Sequence, residues 1–199
     1  MESIPESLRY TDGQYVPERF RGMRRTPRPE DAKRFARIVH AVHMPWFPVW
    51  QPRGTGVLTT RGRKSGVARH TPVKAARDGD RAFLVSIGGK QAQWYRNLRA
   101  DSRVRLQLPS ENGWPGGVFE GIARELRDDN ERAEAYAALC ERVYPFDWVE
   151  NLAHRRGLPT RAKIVELHRS WFVCGHPLVI ELGAAPVSRQ RWPFVPRNF

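Results

Sequence analysis

A chain of 199 residues, 40% of them hydrophobic and seven of them tryptophan, is sized for one folded domain with extensions and is too apolar for a disordered polymer. It has no run of about 18 apolar residues, which excludes a membrane-crossing helix, and its two cysteines, Cys140 and Cys174, show no disulfide-framework spacing. The net charge of +13 points to an acidic ligand or partner.

Residues 1–28 are polar and broken by Pro5, Pro17 and Pro27, and read as an arm. The opening MESIPESLRY lacks the apolar core of a signal peptide, so a cytoplasmic protein is expected. A helix is expected from Pro29, with Glu30 and Asp31 opposing its positive end. Phe35, Ile38, Val39 and Val42 form one apolar stripe, while Lys33, Arg34 and Arg37 lie away from it. The aromatic run Met44 to Trp50 follows. Stripe and aromatics together suit a helix capping the domain; a basic amphipathic helix beside tryptophans also suits a peripheral membrane contact through residues 29–50.

Between Leu58 and Leu108 the pattern changes to short strands. Gly56 to Thr60, Ala68 to Ala76, Arg81 to Ile87 and the alternating Arg103 to Leu108 are the extended runs. Asp78-Gly79-Asp80 is a hairpin cue, because glycine takes positive φ at no steric cost. An antiparallel sheet is the reading. Gln93 to Arg99 reads as a short helix, with Trp94 and Leu98 on one side. Pro109 to Gly117 is a turn-rich connection, and Val118, Ile122 and Ala123 mark a fifth strand that ends near Glu125.

The next stretch is helical. Asp128-Asp129 opens a helix through about Val143, with Ala135, Ala138, Leu139 and Arg142 on one side and Cys140 as inert packing. A second helix spans Asp147 to Arg156. Thr160 caps a third, whose stripe is Ile164, Leu167, His168 and Trp171. His176 to Leu182 is the last strand, ahead of a tail rich in Pro and Arg. Cys174 and His176 with His168 fall short of a recognisable metal-ligand spacing, so no metal is expected.

Positive charge concentrates on the sheet. Leu58 to Leu108 carries twelve Arg and Lys against three Asp. Gly62 and Gly66 bracket Arg63, Lys64 and Ser65, with Arg69 close behind. Glycines there let backbone N–H groups turn toward one point, and such concavities bind anions. Arg63 and Arg69 can fork onto phosphate or carboxylate oxygens, and Lys64 adds a point charge. A solvated basic face is the plainer alternative.

The same stretch carries a family likeness. Leu58-Thr59-Thr60, Gly62-Arg63-Lys64-Ser65-Gly66, Arg69, Thr71-Pro72, Asp78-Gly79-Asp80, Ser86, Gly88-Gly89 and Trp94-Tyr95 with Asn97-Leu98 together resemble the deazaflavin-dependent nitroreductase family of flavin and deazaflavin oxidoreductases. The resemblance implies a split β-barrel with flanking helices (α+β), of the type that also holds FMN. It implies coenzyme F-420 as cofactor, an anionic molecule with a phosphodiester and a polyglutamate tail. It further implies hydride transfer to a small-molecule acceptor such as a quinone, a nitroaromatic or an activated enone.

Carried onto this sequence, the resemblance gives Arg63, Lys64, Ser65 and Arg69 to the phosphate and tail. It puts Thr71 and Pro72 at the ring edge, Gly88 and Gly89 where close approach is needed, and Lys90 near the acidic portion. Trp94 suits either the barrel core or the wall of the ring pocket, and the resemblance favours the wall. The helical segment from Asp147 to Phe172 is longer than the family pattern, and Tyr144 is the candidate proton donor beside solvent. The domain plan is thus an arm (1–28), an amphipathic helix and aromatic linker (29–50), a barrel (51–185) with a helical insertion (128–172), and a tail (186–199). The rivals are an FMN enzyme on the same barrel and a non-catalytic carrier of cofactor or lipid. Sequence-reading nucleic-acid motifs are absent and the basic residues follow strand periodicity, so no specific nucleic-acid partner is expected. Oligomeric state has no signature in the chain.

Overall fold

The computed structural model describes residues 37, 40–45, 47, 50–110, 115–154 and 158–189. The expected arm, the stripe residues Phe35, Ile38 and Val39, and the tail from 190 onward lie outside the described residues. Val42, assigned to that stripe, is 56% exposed, while Phe47 is buried.

Seven strands form one antiparallel sheet: β1 (Thr55–Arg61), β2 (Ala68–Asp78), β3 (Arg81–Ser86), β4 (Arg103–Pro109), β5 (Pro115–Glu125), β6 (His176–Leu182) and β7 (Ser188–Arg189). Their order is β4-β1-β2-β3-β6-β5-β7, and β4 also pairs with β5, so six strands close into a barrel. Closure removes the free edges that an open antiparallel sheet would leave. The helices are α1 (Gln93–Ala100), α2 (Asp129–Tyr136), α3 (Pro145–His154) and α4 (Arg161–Cys174), with a single-turn π-helix at Ala137–Glu141 after α2.

Strand periodicity sorts side chains to two cores. Leu58, Val73, Ala75, Ala82, Leu84, Val104, Leu106, Phe119, Leu178 and Ile180 fill the barrel. Phe83, Val85 and Val179 point the other way and pack under Leu139, Leu167, Trp171 and Phe172 of the helical layer. That is why β3 and β6 read as unbroken apolar runs: each is covered on both faces. Strands such as β4, with Arg103 exposed and Val104 buried, keep the alternation of a half-covered sheet.

Several boundaries differ from expectation. The first extended run continues to Arg61, the second to Asp78, and β3 stops at Ser86, where it pairs with His176. The helix expected through Val143 loses α geometry at Ala137, and Arg142 is exposed, not on its buried side. α3 starts at Pro145 rather than Asp147, since proline's fixed φ suits a first turn. α4 runs to Cys174, two residues past the expected insertion end, with Thr160 Oγ1 accepting from Lys163 N at 3.2 Å as its cap. The tail contributes β7, which pairs with Gly117 and Val118 of β5. A two-residue strand is too short to leave a periodic signal in sequence.

Candidate functional site

The β1–β2 turn is rigid before any ligand arrives. Gly62 N donates to Val67 O at 2.9 Å and Gly66 N to Gly62 O at 2.7 Å. Gly66 sits at φ +69°, a conformation that L side chains resist. Arg63 N donates to Asn97 Oδ1 at 3.3 Å, and Val67 N to Ser65 Oγ at 3.4 Å. Four amides are therefore spent inside the protein. The expected nest of free N–H groups is mostly closed, and an anion here would meet side chains first, among them the Ser65 hydroxyl hydrogen.

Those side chains carry uncompensated charge. The Arg63 guanidinium reaches only neutral amides, Asn97 Oδ1 at 3.2 Å and Gln93 Oε1 at 3.1 Å. Among the described residues no hydrogen bond or ion pair engages Lys64 or Arg69, both exposed. Six arginines elsewhere are ion-paired, though Arg77 and Arg96, like Arg63, are engaged by neutral oxygens. Arg81, Arg99, Arg103, Arg105, Arg124 and Arg127 each meet a carboxylate within 3.3 Å.

Arg63 also ties the turn to α1. Gln93 is the first residue of α1, and its cap position, Ala92, offers no side-chain acceptor to the first-turn amides. Arg63 thus brings a cation to the positive end of α1, with Lys64 next to it on the turn and Arg69 on the strand that follows. Asn97, buried, holds the junction by donating to Thr60 Oγ1 at 3.1 Å.

The paired glycines lie just ahead of α1. Gly89 has φ +57° and accepts from Ser86 Oγ at 2.8 Å, so the turn conformation itself requires glycine. A Cβ on Gly88 would find its nearest atom at 3.7 Å, which leaves room on that side. Trp94 is partly buried and packs on the barrel core, with part of its ring uncovered. Lys90 departs from the group: its charge acts on Glu125 and His176, across α1 from the turn. There Tyr95 donates to Glu125 Oε1 at 2.7 Å, and that bond, with the two nearby basic groups, holds the Glu125 carboxyl below its ordinary range.

β2 supplies an open edge. β3 pairs with it only over Ala75 to Asp78, so Ala68 to Lys74 pair with β1 on one side alone. Thr71 and Pro72 sit in the middle of that edge. Backbone groups there are free to meet a planar heterocycle. The arrangement fits a polyanionic cofactor with a flat ring: cations and a helix end for the tail, a strand edge and glycines for the ring.

Tyr144 lies elsewhere, against the opposite end of β1. Its ring covers Gly54, where a Cβ would come within 2.4 Å of Cδ2, and Arg53 stacks on it at 5.7 Å. From Arg61 to Thr55 is about 20 Å of strand. Among the described residues no hydrogen bond engages its hydroxyl, and its backbone N donates to Asp147 Oδ2 at 2.7 Å.

Asp147 leads to a group the sequence reading missed. Lys74, with 7% of its side chain exposed, donates to Asp147 Oδ1 and lies 2.9 Å from His168 Nε2. Asp147 and His168 are 2% and 3% exposed. Glu150 adds a carboxyl whose oxygens lie within 4.8 Å of the Asp147 and His168 donor atoms. Asn151 is fully buried with both side-chain polar atoms unpartnered. A metal could use Asp147, Glu150 and His168, but the Lys74 ammonium already occupies the space between two of them.

This cluster turns α3 inside out. Asp147, Glu150 and Asn151, at i, i+3 and i+4, face inward, while Trp148, Val149 and Leu152 are 41%, 60% and 55% exposed. A lysine among the apolar residues of β2 (Val73, Ala75, Ala76) was the available signal. It marks a strand whose outer face must meet a carboxylate.

Burial lifts the Glu150 carboxyl above its ordinary range, with Lys74 offsetting part of that. Burial also works against the Asp147 charge, but the neighbouring His168 and the Lys74 ammonium bound at Oδ1 prevail and hold it low. Burial pulls His168 down, so its ring is neutral and accepts from Lys74 at Nε2. Cys140, on the π-turn beside this group, is a buried thiol pushed up to about 12 and is inert.

Comparison with known proteins gives partial structural overlaps. An F420-H2 dependent reductase (FDR-A) shares 22% identity over 65% of this chain and 95% of its own, with a TM-score of 0.41. HutZ, a heme storage protein of Vibrio cholerae, shares 15% over 71% and 89%, at 0.42. An FAD-binding protein of Mesorhizobium loti shares 18% over 71% and 89%, at 0.39. The family model named F420H(2)-dependent quinone reductase matches residues 37–161, more than half of the chain, and spans the turn, the open strand edge, α1 and α3. The chain belongs to this family of F-420-dependent oxidoreductases.

Proposed function

We propose that the protein passes hydride from reduced F-420 to an electron-poor acceptor of quinone, nitroaromatic or activated-enone type. When bound, the coenzyme supplies the hydride; the chain supplies binding, orientation and field. Arg63, Lys64 and Arg69 hold the phosphodiester and the glutamate tail, with the Ser65 hydroxyl as a further donor. Backbone at Thr71 and Pro72 lines the ring edge, Gly88 leaves the approach open, and Trp94 bounds the pocket. Lys90, paired electrostatically with Glu125, adds a weaker attraction for the acidic portion.

The observation that carries this reading is the set of three cations on and beside the β1–β2 turn, Arg63, Lys64 and Arg69, none of them ion-paired among the described residues. The alternatives differ in what those cations would see. FMN carries one phosphate and no glutamates. The test is a fluorescence titration of F-420 and of FMN, followed by turnover with a quinone and a nitroaromatic. Replacing Arg63 and Arg69 with Ala removes two charged hydrogen-bonding groups, each worth about 1.5–3 kcal/mol, so F-420 affinity should drop at least tenfold per residue. FMN binding should fall much less, and F-420 binding should weaken more steeply with salt. Equal losses for both ligands refute the tail-holding role. Tight binding of F-420 without turnover of any acceptor indicates a carrier instead.

A further inference from the structure

The turn, the open edge and α1 make no use of the buried group at Lys74, Asp147, Glu150 and His168. Its place along β2 is informative. From the turn, the strand presents Arg69, then Thr71 and Pro72, then Lys74. At about 3.4 Å per residue, Lys74 is about 17 Å from Arg69 and about 7 Å from Pro72, on the same face of the strand as Pro72. A cofactor whose tail lies at the turn and whose ring lies at Pro72 therefore has its reacting end toward Lys74.

The group also holds separated protonation states. Among the described residues three elements bring titratable groups to Glu150, β2 with Lys74, α3 with Asp147 and α4 with His168, while Cys140 of the π-turn lies beside Lys74 and His168. Asp147 is bound to Lys74 and to the Tyr144 amide, so it is the ionised member. Neighbouring carboxyl groups with opposed environments divide acid from base. Asn151, next to Glu150 in sequence and on the same inward face, has no partner for either polar atom. Buried amides left so are completed by a ligand or a water.

We propose that Glu150 is the acid of the hydride-transfer reaction, with Lys74, Asp147 and His168 as its positioning residues; this rests on the function proposed above. Once the acceptor has taken hydride it carries a negative charge. The Glu150 O–H bond breaks, an O–H bond forms on the reduced acceptor, and that charge is cancelled. The carboxylate left on Glu150 is stabilised by the Lys74 ammonium. Because the Glu150 side chain is only partly covered, it regains a proton from water. Asn151 orients the acceptor or a water through its unpartnered amide.

Glu150→Gln keeps the shape and the neutral charge and removes the proton. F-420 affinity should be unchanged, and turnover of a quinone should fall about 100-fold, within the range for loss of a general acid. The decline of wild-type kcat at rising pH should vanish in the variant, and Glu150→Asp should restore part of the rate. A second readout needs neither cofactor nor turnover. Carbon-13 NMR of glutamate-labelled protein should show one carboxyl titrating well above the rest, absent in Glu150→Gln. Wild-type rate and pH profile in Glu150→Gln, or no such carboxyl, would overturn the role. So would stoichiometric Mn2+ binding that Glu150→Gln abolishes, which would make this a metal site. Failure of the wild-type protein to bind F-420 would instead remove the hydride reading beneath it, and the NMR titration would still report the Glu150 proton.

Discussion

Two ionic clusters tie the helical layer to the barrel, and they are built to different rules. In one, Arg124 of β5 grips Glu131 of α2 through both terminal nitrogens at 2.7 and 2.8 Å, and Glu181 of β6 through Nε at 2.8 Å. Glu131 also accepts from Arg127 N at 2.7 Å. In the other, Lys74 of β2 meets Asp147 of α3 and His168 of α4, while Asn151 keeps both side-chain polar atoms unpartnered. The first is a planar fork with its acceptors filled, and it reads as a staple. The second mixes charged, neutral and orphaned groups, a costly arrangement for mere adhesion. The difference teaches that paired charge marks structure here, and that unpaired polarity is where the proposed chemistry is sought.

The largest expected effect is on the staple. Glu131→Ala leaves Arg124 with the exposed Glu181 and the Glu125 carbonyl, and should cost about 3 kcal/mol, the lower end for breaking a buried pair because Arg124 is 21% exposed. Urea unfolding measures it, and F-420 affinity should not move. A loss of stability under 1 kcal/mol would mean the fork is ornamental.

Acid should reproduce that loss without mutation. The two hydrogen bonds from Arg124, opposed by burial and helped by the Arg127 amide, hold the Glu131 carboxyl at about 2 against an ordinary 4.5. A carboxyl depressed by folding stabilises above its unfolded value, and its contribution fades as pH falls from about 4.5 to about 2, roughly 3 kcal/mol in all. Glu150 has the opposite sign. Its carboxyl is raised by folding, so stability is lost as pH climbs through its folded value, and Glu150→Gln should be the more stable protein at pH 8. Parallel pH profiles of unfolding for wild type, Glu131→Gln and Glu150→Gln would sharpen the contrast; matching slopes for both variants would erase it.

The elements that carry the staple were legible in the sequence; the Arg124, Glu131 and Glu181 contacts and the buried cluster at Lys74 were not. Glu125, Asp128 and Asp129 announced a strand end and a helix start, and the Ile164, Leu167, His168 and Trp171 stripe is buried as its spacing demands. The antiparallel sheet followed from strand periodicity and turn glycines, its closure into a barrel from the family resemblance, and the cationic turn from its charge. α3 defeats the same logic, because period alone would bury Trp148, Val149 and Leu152. The inward choice is made by Lys74, which no local pattern links to Asp147, 73 positions on. Contacts of that separation belong to the tertiary structure, as does the neutral amide pairing that leaves Arg63 charged and available.

The smallest expected effect on stability is the most telling. Lys74→Met alone strands the buried Asp147 charge and should cost about 3 kcal/mol. The double change Lys74→Met with Asp147→Leu removes both charges and substitutes apolar volume. It loses one bond to the Tyr144 amide, and the desolvation saved offsets that loss, so stability should return to within about 1 kcal/mol of wild type. A protein that regains its unfolding midpoint yet keeps F-420 binding and loses turnover would separate the cluster's chemical role from its adhesive one. The equivalent pair at the staple, Arg124→Met with Glu131→Leu, should not recover, because Glu181 and the Arg127 amide would each lose a partner that no methyl group replaces. Recovery at both sites would show that neither cluster is kept for chemistry, and Glu150 would then have no positioned neighbours to act with.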